Sequence, residues 1–161
     1  MARRDFDPAT VQSDGRPATK ARLFDAANGG PWRGSLSGLT LGGENTVLTY
    51  GTDEIGVGPR LHVHPYDETF IIIEGRARFF VGETTLDAAA GEVVFGPAGV
   101  PHRFENLGPG RLQTIDIHHS PTWIQADLDE GWVQRGDRSI GTSVGEDPTW
   151  IAPSFSKPWR S

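Results

Sequence analysis

The sequence predicts an all-β fold, a barrel or sandwich of short strands. Short runs rich in β-branched and aromatic residues recur at close spacing between residues 36 and 119. Nearly every run is bounded by Gly, Pro, Asn or Asp, as in Glu74-Gly75, Val81-Gly82-Glu83, Ala90-Gly91 and Asn106-Leu107-Gly108-Pro109-Gly110. These residues set turns rather than continue strands. No segment inside 36–118 has the periodicity of an amphipathic helix.

In chain order, residues 1–35 are polar and rich in Gly, Pro, Ala and Asp, which predicts an irregular arm. Its start, MARRDFDPATVQSDG, carries two arginines with no apolar stretch behind them, unlike a secretory signal. Strands are expected to begin near Leu36. The clearest are Thr46–Tyr50, Leu61–His64, Thr69–Ile73, Ala77–Val81, Val93–Phe95, Arg103–Glu105 and Gln113–His118. Beyond His119 the pattern changes. Ser120-Pro121 followed by Thr122-Trp123-Ile124-Gln125-Ala126-Asp127-Leu128 reads as a capped helix start. The chain after Gly131 is irregular but carries Trp132, Trp150, Phe155 and Trp159. So many large aromatics are expected to pack on the chain's own barrel or against a second subunit. The expected division is an arm over 1–35, a barrel over 36–119 and an extension over 120–161.

Composition narrows the function classes. The 161 residues suffice for one domain with a core. With 15 basic and 21 acidic side chains the formal charge is −6, and no basic run exceeds Arg3-Arg4. That balance argues against nucleic acid or an anionic membrane as a partner. No apolar run approaches the roughly 20 residues that span a bilayer. Cysteine is absent, so disulfides, thiolate ligands and thiol nucleophiles are excluded, and a cytoplasmic location fits.

The chemistry concentrates in five histidines: His62, His64, His102, His118 and His119. On a strand, residues two apart share a face, so His62 and His64 enter one space while Val63 points away. Pro65-Tyr66-Asp67 can turn the chain into a hairpin that brings Glu68 beside the two imidazoles. His102 follows Gly99-Val100-Pro101 and opens another strand. Three imidazoles and a carboxylate suit a divalent first-row metal, and octahedral geometry would leave open positions.

At this point the sequence resembles the cupins. Their first motif reads here Gly56-VGPRL-His62-Val-His64-PYD-Glu68-TFIIIE-Gly75, and their second Gly91-EVVFG-Pro97-Ala-Gly99-VP-His102-RFE-Asn106. Every fixed position of both is present. The resemblance implies a double-stranded β-helix, or jelly-roll barrel, here with an irregular N-terminal arm and a C-terminal extension containing a short helix. It implies one metal ion held by His62, His64, Glu68 and His102. The glycines, Pro97 and Asn106 are expected to serve turns. The family's activities range over dioxygenases, isomerases, decarboxylases, cyclases, lyases and non-catalytic binders, and a fold does not choose among them.

Strand parity extends the expected pocket. Arg60 shares the face of His62 if the strand runs regularly through Leu61, and would then offer a fork to a substrate carboxylate. Otherwise it is a solvated rim residue. Phe70 and Ile72 share parity with Glu68, and Phe104 with His102, as packing or as substrate wall. The alternation Ile115-Asp116-Ile117 predicts Ile115, Ile117 and His119 on the core side, with Asp116 and His118 opposite. The expected activity is that of a metal-dependent enzyme on a small carboxylate, phenol or dicarbonyl. A non-haem dioxygenase using Fe(II) or Mn(II), with Glu68 able to act as a base, is the foremost version. The alternatives are a Lewis-acid cyclase or isomerase with Zn(II) or Ni(II), and a non-catalytic small-molecule binder. A homodimer is expected.

Overall fold

The computed structural model describes residues 5–24 and 32–129. Among these lie ten strands: β1 (Gly34–Leu36), β2 (Thr46–Thr52), β3 (His62–Val63), β4 (Glu68–Glu74), β5 (Arg76–Val81), β6 (Thr84–Ala89), β7 (Val93–Gly96), β8 (His102–Asn106), β9 (Leu112–His118) and β10 (Ala126–Asp127). One helical turn, α1 (Gly38–Leu41), is capped by the Ser37 hydroxyl, which accepts from Leu39 N, and ends at Gly42 in the left-handed conformation. The arm carries only a single 3-10 turn over Pro8–Thr10.

The strands form two five-stranded sheets with antiparallel pairing throughout, in the orders β1-β2-β9-β4-β7 and β10-β3-β8-β5-β6. Consecutive strands therefore cross repeatedly between sheets, and the architecture is the jelly roll that the motifs implied. Phe70, Ile72 and Val94 from the first sheet meet Phe79, Ala77 and Phe104 from the second, with Leu112 closing one end. The rings of Phe70, Phe79 and Phe104 sit 5.0 to 5.7 Å apart between centroids, in tilted or edge-to-face contact. Gly75 joins β4 to β5 at φ 81°, and a Cβ there would run into the Arg111 carbonyl, so the turn requires glycine.

Three elements differ from the expectations. The Pro65-Tyr66-Asp67 turn is not a hairpin: it carries the chain from β3 in one sheet to β4 in the other. Glu68 thus faces the histidines across the barrel rather than from a neighbouring strand. β6 went unread in the sequence, and it pairs fully with β5 from Arg76↔Ala89 to Val81↔Thr84. The helix expected from Ser120 does not form. A helix would need the Pro121 carbonyl for its first turn, but Ser37 Oγ and Leu39 N donate to that oxygen at 2.8 and 3.2 Å. Ser120 Oγ holds a local turn with Thr122, and the chain then runs extended into β10 beside β3. The aromatic residues beyond Gly131 lie outside the described residues.

Candidate metal centre

The architecture brings His62, His64, Glu68 and His102 together at one end of the barrel. β3 and β8 pair at His62↔His102, which sets those two rings side by side with centroids 4.5 Å apart. Each of the four residues offers a ligand atom within 4.8 Å of all the others, and all four are buried. Opposite Glu68 on β7 stands Gly96, where a Cβ would press within 3.3 Å of the Phe70 ring and 3.6 Å of His102 Nδ1.

Backbone carbonyls fix the tautomers. His62 Nδ1 lies 2.7 Å from Arg60 O, His64 Nδ1 2.7 Å from Ile124 O, and His102 Nδ1 2.9 Å from Val100 O. A carbonyl only accepts, so each Nδ1 carries the hydrogen and donates it. The three Nε2 atoms are then bare lone pairs. Two of them face Glu68 Oε2, His102 at 2.9 Å and His64 at 3.2 Å. Lone pairs that converge on a carboxylate without hydrogens between them repel one another unless a cation sits among them. His64 Nε2 is buried without a well-formed hydrogen bond, and with the Nδ1 hydrogen given to Ile124 O it offers a lone pair that a metal ion could take. The donor set fits a divalent ion: three neutral nitrogens and one anionic oxygen.

The electrostatics agree. Burial pushes the His62 imidazole down to about 4, with the neighbouring His102 and His64 adding to the effect, so its lone pair is free at neutral pH. Burial alone would raise the Glu68 carboxyl. With a cation between them, a proton on Nε2 or a metal ion in its place, His102, His118 and His64 overcome that and hold it below the ordinary carboxylate range. Asp116, inside the barrel on β9, is pushed well above its usual value by burial and then by the Glu68 charge, with Thr114 offsetting only part.

The other expected site residues divide. Phe70, Ile72 and Phe104 are buried on the inner face as parity required, and the Phe70 ring packs edge-on against His102 at 5.6 Å. They wall the barrel beneath the His62, His64, Glu68 and His102 cluster. Arg60 does not join them: β3 starts only at His62, so the strand parity that placed Arg60 inside does not extend to it, and its side chain is exposed. What Arg60 gives the site is its backbone carbonyl. Asn106 is structural, as expected. Its amide donates to Gly110 O, and its side-chain oxygen accepts from Gly108 N.

The parity expected for β9 is inverted. Asp116 and His118 face inward, while Ile115 and Ile117 face out and His119 is exposed. The register decides this, because His118 pairs with Glu68 and Asp116 with Phe70, both inner-facing residues of β4. His118 is thereby a fifth buried group at the centre, with Nε2 3.1 Å from Glu68 Oε1 and Nδ1 3.3 Å from the Tyr66 hydroxyl. Tyr66 stacks on His64, with centroids 5.1 Å apart and planes at 11°. Sequence reasoning named His118 as a supporting rather than a ligating histidine but turned it away from the core, and it missed the role of Tyr66. The polar alternation Thr114, Asp116, His118 was the available signal.

A family model of the cupin domain matches residues 39–118, about half of the chain. The chain belongs to the cupin superfamily. An uncharacterized protein of Streptomyces coelicolor is 43% identical to this cupin over 44 residues, covering 27% of this chain and 42% of that protein. Among solved structures, a point mutant of Bacillus subtilis oxalate decarboxylase superposes with TM-score 0.55 at 22% identity, over 59% of this cupin and 27% of that chain. A structure of the same enzyme, studied for the EPR parameters of its Mn(II) centres, gives TM-score 0.54 at 23% identity over the same shares. This cupin thus matches under half the length of the Streptomyces protein and about a quarter of the decarboxylase, and the structural likeness is one of fold. With the buried His62, His64, Glu68 and His102 cluster, the chain is a cupin whose residues could hold a metal ion.

Proposed function

We propose that this cupin is a metal-dependent enzyme acting on a small carboxylate, phenol or dicarbonyl, as a non-haem dioxygenase using one Fe(II) or Mn(II) ion. One observation carries the metal reading: three carbonyl-locked imidazoles present unprotonated Nε2 atoms to a single buried carboxylate. His62, His64 and His102 would hold the ion through Nε2, and Glu68 through Oε2. When bound, such an ion supplies Lewis-acid polarisation and, if redox-active, access to oxygen chemistry.

The chain's own residues do the rest. One carboxylate against a divalent ion leaves a net positive centre, which favours an anionic or enolisable substrate. Phe70 and Phe104 exclude water from the floor of the site and offer an apolar surface. Glu68 becomes a base for a substrate proton only by swinging off the imidazoles, since among them its proton affinity is low. Arg60, being exposed, supplies no anion clamp in this reading. The Mn(II) centres of the oxalate decarboxylase neighbour support Mn(II) as one of the ions this borderline set of three imidazoles and one carboxylate would take. Among the described residues no helix is long and apolar enough to cross a membrane. We place the protein in the cytoplasm, with a small molecule rather than nucleic acid or membrane as its partner.

The test is anaerobic metal analysis of purified protein, followed by an oxygen-uptake screen over small carboxylates, phenols and diketones. Stoichiometric Fe or Mn with oxygen uptake supports the dioxygenase. Zn or Ni with turnover but no uptake replaces it with a Lewis-acid cyclase or isomerase. Metal-free protein that still binds small molecules replaces it with a non-catalytic binder.

A further inference from the structure

His118 stands outside both motifs, yet it is 1% exposed and touches the one carboxylate of the centre. Its hydrogen-bonding situation is the reverse of the other three imidazoles. Theirs is set by carbonyls, which only accept. His118 Nδ1 instead faces the Tyr66 hydroxyl, which can do either.

The carboxylate and the backbone together decide which. Ile124 N–H donates to the Tyr66 oxygen at 2.9 Å, which leaves the hydroxyl hydrogen available to His118 Nδ1. The opposite tautomer would set a bare Nε2 lone pair against the Glu68 carboxylate. Nδ1 therefore accepts, and the hydrogen of His118 sits on Nε2, 3.1 Å from Glu68 Oε1. Each link in the series from Ile124 through Tyr66 and His118 to Glu68 thus donates in one direction, and the series starts from a backbone amide that cannot reverse. The two carboxylate oxygens are consequently unlike. Oε2 faces the lone pairs of His64 and His102, whereas Oε1 faces a donor. The contact at Oε1 is close but bent, since His118 Nε2 makes no well-aligned hydrogen bond.

We propose that His118 is a positioning residue, which donates from Nε2 to Glu68 Oε1 and so presents the carboxylate to the metal through Oε2 alone. A carboxylate held on one oxygen occupies a single coordination position. A free one can turn and take two, closing a position that a substrate would use. Tyr66 sets the orientation of His118, and its ring also braces His64. The inference rests on the metal reading above.

The experiment loads wild-type, His118→Ala, His118→Gln and Tyr66→Phe proteins with Mn(II) or Co(II). Affinity is read by calorimetry, the Co(II) absorption spectrum reports ligand geometry, and pulsed EPR of the Mn(II) form counts coordinated imidazoles. Wild type should bind one ion with three imidazoles. His118→Ala should weaken binding by about 10- to 100-fold, as loss of an outer-shell partner does, keep three imidazoles and alter the Co(II) spectrum. His118→Gln, whose amide can donate to Oε1, should restore most of the affinity and the wild-type spectrum. Tyr66→Phe keeps the ring stack but loses the hydroxyl, and should shift the spectrum in the same direction as His118→Ala. If His118→Ala does not fold, an unchanged Tyr66→Phe spectrum overturns the proposal. Wild-type affinity and spectrum in His118→Ala also overturn it. So do four imidazoles in wild type, which would make His118 a ligand. Wild-type protein that binds no ion would instead remove the metal reading itself.

Discussion

Acid should destabilise the metal-free barrel through His62 before Glu68 is protonated. The imidazole is held at about 4 in the folded protein against 6.5 when free. A base with a depressed value contributes stability that is complete above its unfolded value and fades as pH falls toward the folded one. Below 6.5 the unfolded chain takes up a proton that the folded chain refuses. Glu68 is also depressed, but its share is lost only below its ordinary 4.5. Between neutral pH and 4.5, His62 therefore acts apart from Glu68. That span is close to two pH units below 6.5, at about 1.4 kcal/mol each. After allowing for partial protonation near the folded value, the loss is about 2.5 kcal/mol. The assay is urea unfolding of chelator-treated protein at pH 7.5 and 4.5, for wild type and His62→Gln, whose amide does not titrate. The wild type should lose about 2.5 kcal/mol more than the variant over this interval. Equal losses in the two proteins would refute the assignment of a desolvated, neutral His62.

Other outcomes follow from the same geometry. His62→Ala and His102→Ala should each lower Mn(II) affinity beyond the about 10- to 100-fold typical of outer partners, with circular dichroism showing the barrel intact, and wild-type binding should weaken as pH falls toward about 4, where His62 takes up a proton. Full metal occupancy in both variants would remove the ligand assignment. Asp116 is raised by burial, so its contribution is present at low pH and is lost as pH rises above its ordinary 3.8. Asp116→Asn should accordingly gain stability over wild type at pH 8, with the gap shrinking toward pH 4. A gap independent of pH in denaturant melts would contradict the raised carboxyl. The outer face of the first sheet exposes Ile73, Val93 and Phe95 at 41%, 61% and 54%, an apolar surface suited to a second copy of the chain. Light scattering at tens of micromolar should find a dimer that Phe95→Lys converts to monomer, and a wild-type monomer would dispose of the idea.

The ligands were legible because they lie in contiguous patterns. His-x-His needs only strand parity, and Glu68 and His102 sit beside turns that Pro and Gly announce. What escaped was decided by tertiary pairing. In β9 the isoleucines looked like the core face because apolar alternation usually marks it. This sheet is apolar on both sides, and near the metal end its inner face is the polar one, so hydrophobicity pointed the wrong way. Arg60 was placed by continuing the strand back through Leu61, but the strand starts only at His62. β6, with two alanines and Asp87, has weak strand propensity and is held by its partner, where Arg78 grips Asp87 with two bonds of 2.7 and 2.9 Å. Ser120–Leu128 carried a sound local helix signal. It lost to a carbonyl already engaged by α1.

That last segment has a consequence for how the protein is cut and reused. Ile124 serves the centre with both of its backbone groups, the carbonyl fixing His64 and the amide fixing Tyr66. Leu128 N then bonds Leu61 O next to His62. The domain recognised by family likeness stops at residue 118, just short of this latch. A minimal barrel trimmed to that boundary would retain every ligand and still leave His64 free to spin to the wrong tautomer. Grafts, fusions and split versions of this protein should therefore keep the chain through Leu128, treating the strap as part of the candidate metal site.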